Sequence, residues 1–362
     1  MKIDFATLFE QQEKATKQDD FNQPKLRITV LGGGSFGTAM ANLAARNGCD
    51  SMIWIRDAQV AEQINQTHIN QRYLPDFVLN ENLVAESNLE KAVRDRDLIF
   101  VAIPSHSFRS ILKQIAPFIS GQVIISLTKG MEADSFKLMS DIIQEELPEV
   151  AYGVMSGPNL AKEIVAGMPS GTVIASSSEI VRGAVQQALH SMLFRVFASD
   201  DVYGVELGGA LKNIYAVAMG MANAFEIGEN TKSMILTRAL AEMSRFAVNM
   251  GANPLTFLGL SGVGDLWATC NSPLSRNYQM GYKLGQGKTL QQASEELGQT
   301  AEGINTISQV YVCAKQRNVY MPIATALYEV IFEQAPALSI AAALMQIGNR
   351  SDVEFVLPHQ NS

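Results

Sequence analysis

From Leu26 to about Phe197, short β-branched runs alternate with segments whose apolar residues recur at helical spacing; the runs are RITVLG, SMIWI, LIFVAIP, VIISL, AYGVMS, TVIAS and FRVF. Strands alternating with helices predict βαβ units on a mostly parallel sheet, and runs that are apolar at nearly every position predict strands covered on both faces. After Asp200 the period changes. No further β-rich run occurs, and Ile235, Ala239, Met243, Phe246 and Met250, followed by Gly251, trace one stripe of a helix and its stop. Thr289 with Gln292 forms a capping box, Pro322 suits a first helical turn, and Gly348 suits a helix end. The expected fold class is α/β: a doubly wound, mostly parallel sheet followed by an all-helical half, with the change near residues 198–205. The longest apolar stretches, after Lys212 and from Ala335 to Gly348, stop short of the roughly 18 residues of a membrane span and read as buried helices.

The first run leads into Gly32-Gly33-Gly34-Ser35-Phe36-Gly37, a G-x-G-x-x-G followed by a helical segment to Asn47. Glycine permits the tight turn, the approach of backbone to a pyrophosphate and close helix-to-strand packing, while the helix N-terminus offers free N–H groups. With a strand before it and a helix after it, the motif predicts a dinucleotide site. Arg56 and Asp57 stand at the end of the second run. An acid there accepts from the ribose 2′-OH of NAD, whereas an arginine neutralises the 2′-phosphate of NADP. Arg56 in the end-of-strand position favours NADPH, and a solvated Arg–Asp pair is the plainer alternative. Ile103-Pro104-Ser105 closes a later strand at the same edge and is expected to flank the nicotinamide; His106 is more simply read as locally satisfied than as catalytic.

Charge and cysteine content narrow the partners. With 28 Lys plus Arg against 36 Asp plus Glu the net charge is −8, a field that opposes nucleic acid and anionic membranes, so an anionic substrate needs a local positive cluster. Cys49, Cys270 and Cys313 lie far apart in no C-x-x-C spacing, which predicts neither a disulfide framework nor a thiolate metal site and fits a reducing cytoplasm. His68, His106, His190 and His359 have no metal-ligand spacing, so no metal is expected. The first 25 residues lack the apolar stretch of a secretory signal and read as an extension.

For proton transfer the sequence offers Lys212, in Glu206-Leu-Gly-Gly-Ala-Leu-Lys-Asn213, among Leu211, Ile214, Ala216, Val217 and Ala218. A helix of this composition is largely buried, and a buried lysine without a task is unusual. At a pKa of about 10.4, about one lysine in 2,500 is neutral at pH 7; lowering the pKa by about three takes about 4 kcal/mol of desolvation and charged neighbours, within reach of buried lysines. A snorkelling or salt-bridged lysine is the alternative. Gly208 and Gly209, a turn earlier, weaken the helix unless something packs closely on them. Asp265 and Thr269 are four apart and share one face of a helix, where they hold hydroxyls or orient Lys212. Pro273-Leu-Ser275-Arg276-Asn277 reads as a turn into a helix that presents a hydroxyl, a guanidinium fork and an amide: a phosphate cradle or, alternatively, an N-cap beside a solvated arginine.

Taken in order, GGGSFGTA, IPSH, LTKGME, SGPN, ELGGALKN, GVGDLWATC, SRN and AEG, spread over Lys25 to Gly348, resemble the NAD(P)-dependent glycerol-3-phosphate dehydrogenases of the bacterial type. The chain reads as an N-terminal extension (1–25) with no counterpart in that family, a Rossmann-type dinucleotide-binding domain (26–200), a helical substrate and catalytic domain (201–350) and a C-terminal tail (351–362); the resemblance implies that the helical domain is similar to that of 6-phosphogluconate dehydrogenase and that the chain forms a homodimer. It implies reversible reduction of dihydroxyacetone phosphate to sn-glycerol 3-phosphate by hydride from NADPH or NADH, feeding glycerophospholipid synthesis. Gly32, Gly34, Ser35, Phe36, Gly37, Arg56, Lys129, Ala161, Arg276, Thr300 and Glu302 would then contact the cofactor. Lys129, Gly157, Asn159, Lys212, Asp265, Ser275, Arg276 and Asn277 would contact the substrate, with Lys212 as proton donor and acceptor. Asn159 stands where the family carries serine or threonine, and Thr300 where it carries a small apolar residue. The competing readings are a related 3-hydroxyacid or sugar-acid dehydrogenase and a non-catalytic NAD(P)H sensor, although a sensor needs no proton carrier.

Overall fold

The apolar runs become strands of one eight-stranded sheet: β1 (Arg27–Leu31), β2 (Asp50–Trp54), β3 (Val84–Glu86), β4 (Leu98–Val101), β5 (Val123–Ser126), β6 (Tyr152–Ser156), β7 (Ser170–Ala175) and β8 (Phe194–Ser199). This is a computed structural model that describes residues 25–133, 135–298, 302–337, 339–340 and 345. The strand order is β3-β2-β1-β4-β5-β6-β7-β8, with β2–β3, β1–β2, β1–β4, β4–β5, β5–β6 and β7–β8 paired in parallel. Consecutive residues of one strand feed opposite cores. Leu98 and Phe100 enter one apolar cluster while Ile99 and Val101 enter another, as expected of a sheet covered on both faces. Helices α1 (Ser35–Arg46), α2 (Ala58–Thr67), α3 (Leu89–Val93), α4 (Ser105–Ile115), α5 (Met139–Glu146), α6 (Ala161–Val165) and α7 (Glu179–Leu189) connect the strands. The sequence pattern does not anticipate β3, because this three-residue edge strand buries only Ala85 and so carries no run of apolar positions.

Two compact units divide the chain. Of the described residues, one unit holds those up to Thr128 together with Met139–Met155 and Asn159–Asp200; the other holds those within Lys129–Leu138, Ser156–Pro158 and from Asp201 onward. The second unit is built from α8 (Val202–Ala224), α9 (Glu229–Asn249), α10 (Asp265–Asn271), α11 (Arg276–Gly285), α12 (Leu290–Leu297), α13 (Glu302–Arg317) and α14 (Pro322–Phe332). Every residue of α8 from Gly204 to Ala222 is buried, so this mostly apolar helix is the axis around which its neighbours pack. The expected capping box forms at Thr289, and Pro322 opens α14. Gly348, read as a helix end, lies outside the described residues, as do residues 1–24 of the 1–25 extension and the tail. Among the described residues no helix is long and apolar enough to cross a membrane.

A buried carboxylate organises the far end of this unit. No side chain of its own segment caps α14; instead Glu242 of α9, 2% exposed, accepts from the Ile323 N–H at 2.7 Å, the Ala324 N–H at 3.3 Å and the Tyr215 hydroxyl at 3.1 Å. Burial, the largest influence, pushes the Glu242 carboxyl up to about 7 against the pull of these donors. The folded state therefore binds this proton more tightly than the unfolded chain, whose carboxyl keeps its ordinary value of 4.5. The stabilisation it supplies is complete below the unfolded value and is lost as pH rises toward 7. Glu242→Gln should abolish this dependence: the stability difference between wild type and variant in urea unfolding should shrink by roughly 3 kcal/mol between pH 4.5 and 8, and a difference constant with pH would contradict the assignment.

Candidate active site

In the first unit, chain order reverses between β1 and β4, so the carboxyl ends of these neighbouring strands open a crevice in which such sheets bind nucleotides. The glycine turn follows β1 there. Gly32 has φ +123°, and a Cβ on it would lie 2.4 Å from the Ala102 carbonyl oxygen, so only glycine fits. At Gly34, by contrast, a Cβ would find nothing within 4 Å, and no side chain caps the first turn of α1. Open space thus adjoins the N-terminus of α1, an arrangement that fits a dinucleotide pyrophosphate. Ser35 and Phe36 open α1 and are partly buried, Ala161 opens α6, and His106 is exposed on α4. Arg56 is exposed just beyond β2. Asp57 is used differently: its Oδ1 caps α2, accepting from the N–H groups of Gln59 at 2.9 Å and Val60 at 3.3 Å. Among the described residues no ion pair joins it to Arg56. Asn159 also lies in this unit, with its side chain bonded to the Gly171 carbonyl at 3.1 Å and the Thr172 hydroxyl at 3.0 Å.

The second unit holds a buried charged cluster. Gly208 and Gly209 let α8 approach its surroundings, since a Cβ would stand 2.4 Å from the Ser261 carbonyl at the first and 2.4 Å from Ser156 Oγ at the second. One turn on, Lys212 Nζ bonds to Asp265 Oδ1 and, at 2.7 Å, to Thr269 Oγ1. Asp265 is the first residue of α10, delivered there by the wide turn Leu260–Gly264. Its other oxygen accepts from Lys129 Nζ at 2.7 Å, and the same nitrogen donates to the Gly157 carbonyl at 2.8 Å. Ser156 Oγ reaches that oxygen at 3.4 Å.

One carboxylate cannot neutralise two ammonium groups, so the more deeply buried lysine yields its proton more easily. Lys212 has a side-chain exposure of 7% against 18% for Lys129. Desolvation, the largest influence, together with Lys129, outweighs Asp265 and brings Lys212 down to about 7 from 10.5, a shift on the order of 5 kcal/mol in the cost of its charged form. Burial alone would raise the Asp265 carboxyl, but Lys129 and Lys212 together hold it below its usual range.

An amide relay adjoins the cluster. Asn213 donates to the Lys129 carbonyl at 3.3 Å and accepts from Asn277 at 2.8 Å, and Asn277 in turn accepts from the Gly303 N–H at 2.9 Å. Ser275 caps α11, with its hydroxyl accepting from the Tyr278 N–H at 3.3 Å, and Arg276, the first residue of that helix, is exposed. Glu302 opens α13; Thr300 lies outside the described residues. Lys129, Gly157, Lys212 and Asp265 are therefore brought together, with Thr269 beside them. Ser156 and the bridging role of Asn213 went unread in the sequence: a serine ending a strand and an asparagine next to a lysine carry no periodic signal. Among the described residues no group of side chains suits a metal ion.

A mostly parallel sheet with a glycine turn at its switch point, joined in one chain to a helical unit that buries a lysine near neutrality, defines a dinucleotide-dependent dehydrogenase. Residues 27–181 match the family model described as NAD-dependent glycerol-3-phosphate dehydrogenase N-terminus and residues 201–342 that described as its C-terminus, and the chain belongs to this family. A relative from Acinetobacter baumannii named glycerol-3-phosphate dehydrogenase [NAD(P)+] is 78% identical over 334 residues, 92% of this chain and 94% of its own length. A relative of the same name from Psychrobacter cryohalolentis is 64% identical over 341 residues, 94% of this chain and 79% of its own. A crystal structure of glycerol-3-phosphate dehydrogenase from Coxiella burnetii superposes with a TM-score of 0.84 at 32% identity, covering 90% of this chain and 99% of that one.

Removing the shared carboxylate tests the cluster directly. Asp265→Asn should leave two ammonium groups facing each other, lower the Lys212 pKa below 7 and destabilise the fold by about 3–5 kcal/mol. Nitrogen-15 NMR titration of lysine and urea unfolding read both, and an unshifted Lys212 would refute the coupling.

Proposed function

We propose that this enzyme reversibly reduces dihydroxyacetone phosphate to sn-glycerol 3-phosphate with NADPH or NADH, and that Lys212 carries the proton. The observation that carries this reading is the buried Lys212–Asp265–Lys129 cluster in a chain of this family. When bound, the nicotinamide supplies a hydride to the C2 carbonyl carbon of the ketone. Lys212, protonated and hydrogen-bonded to Asp265 and Thr269, gives its proton to the oxygen that gains charge as that hydride arrives and is left as a neutral amine. In the reverse direction the neutral amine removes the hydroxyl proton. A pKa of about 7 keeps both forms populated at neutral pH, which suits one group to both directions. Lys129, whose Nζ lies 2.7 Å from Asp265 Oδ2, polarises the site.

Ser275, Arg276 and Asn277, at the start of α11, offer a guanidinium and helix N–H groups for the substrate phosphate, with Gly157 and Asn159 as further contacts. Gly32, Gly34, Ser35, Phe36, Gly37, Arg56 and Ala161 from the first unit, with Lys129, Arg276, Thr300 and Glu302, hold the dinucleotide. Arg56 favours NADPH: it is exposed at the end of β2, while the neighbouring acid Asp57 is occupied in capping α2. The product suits glycerophospholipid synthesis in the cytoplasm. A homodimer fits the exposed apolar side chains of the helical unit, such as Trp267 at 62% and Leu258 at 57%.

The absorbance of NADPH after addition of dihydroxyacetone phosphate tests the activity. Lys212→Ala should lower kcat by about 10²–10⁴-fold while NADPH binds unchanged, and near-normal turnover would eliminate the assigned acid. In the wild type, ketone reduction needs the ammonium form and should fall as pH rises through about 7, whereas alcohol oxidation should fall as pH drops through the same value. Arg56→Ala should raise KM for NADPH about tenfold more than KM for NADH, since only the former loses a charged partner; an unchanged preference would return Arg56 to the solvated surface.

A further inference from the structure

Behind the glycine turn lies a stretch, residues 68–83, that the function above does not use. Its Asn70 is fully buried at 0% exposure. The Asn70 amide nitrogen donates to the Gly33 carbonyl at 2.9 Å and to Thr38 Oγ1 at 2.9 Å, while Oδ1 accepts from the Tyr73 N–H at 3.3 Å. Both N–H groups of the carboxamide are thus committed, one to the turn and one to the start of α1. Thr38, also fully buried, donates to the same Gly33 carbonyl at 3.4 Å. Leu74 and Leu79 anchor the stretch in the core at 0% and 4% exposure, and the Asn80 N–H donates to Asn42 Oδ1 of α1 at 2.7 Å.

Within a planar trans peptide the carbonyl and the following N–H point in opposite directions. Holding the Gly33 carbonyl therefore aims the Gly34 N–H away from Asn70, at the residue whose missing side chain leaves open space. Gly33 and Gly34 have no side chains of their own to settle the orientation of this peptide. We infer that Asn70 is a positioning residue for the cofactor pyrophosphate, presetting the Gly33–Gly34 peptide so that binding does not have to order it. This rests on the cofactor reading proposed above. A preset loop contributes to affinity by removing an ordering cost, not by adding a contact, and it leaves the proton chemistry at Lys212 untouched.

Asn70→Asp keeps the shape, removes both donors and turns a carboxylate toward the Gly33 carbonyl. KM and Kd for NADPH should rise about ten- to hundred-fold, with kcat at saturating NADPH and KM for dihydroxyacetone phosphate unchanged. Thr38→Ser, which keeps the hydroxyl, should retain the wild-type KM for NADPH, whereas Thr38→Val should raise it. A merely structural Asn70 would lower the melting temperature and the active fraction without moving KM for the cofactor; that result, or an equal rise in both KM values, overturns the proposal. Should Asn70→Asp fail to fold, the uncharged Asn70→Ser and the Thr38 pair are judged by the same split. NADPH titration of the wild type separates the two readings: no binding there refutes the cofactor assignment, while tight binding with an unaffected Asn70→Asp refutes only the role of Asn70.

Discussion

One carboxylate shared by two lysines sets the terms for the helical unit. Asp265 is almost wholly buried, and both of its oxygens are taken, one by Lys212 and one by Lys129. A site of this charge holds one positive charge too many for a dry interior, and the excess is relieved at the lysine that water reaches least. Lys212 is the more buried of the two lysines, and that burial is the largest influence lowering its pKa. The rest of the local architecture serves this contact: a buried, mostly apolar α8 whose packing strips Lys212 of solvent, two glycines that let α8 come close, and a wide turn that presents Asp265 at the head of its helix.

Charge burial elsewhere in the same unit follows a different rule. Glu242 is as dry as Asp265, but among the described residues no ion pair reaches it; backbone N–H groups and a phenol hold it, and its carboxyl moves up instead of down. The contrast shows how partner type, at equal burial, sets the direction of a shift. In the sheet-bearing unit the chemistry rests on side chains that are absent. Gly32 fits because its neighbour is a carbonyl oxygen, and Gly34 leaves the space an anion would fill.

Much of this was legible beforehand where the signal is local and periodic. Strand runs, the glycine motif, the capping box at Thr289 and the four-residue spacing of Asp265 and Thr269 each lie within a few residues of chain, and each became the element they describe. The choice between the roles open to Asp57 was not legible, because a helix cap and a ribose acceptor require the same side chain at the same place. Asn70 was silent for a similar reason, since a polar residue in a loop says nothing of what it will be buried against.

The amino-acid order by itself determined the doubly wound and helical halves, the glycine turn after the first strand and the identity of the unusual lysine, since all of these follow from spacing and from apolar neighbours along the chain. Only the tertiary structure decided what that lysine meets: Asp265 lies 53 positions from Lys212 and 136 from Lys129, and the stretches 129–138 and 156–158 join the helical unit although they precede it in the chain. Contacts at such separations depend on which strand ends and helices the topology sets side by side, and no local period encodes that.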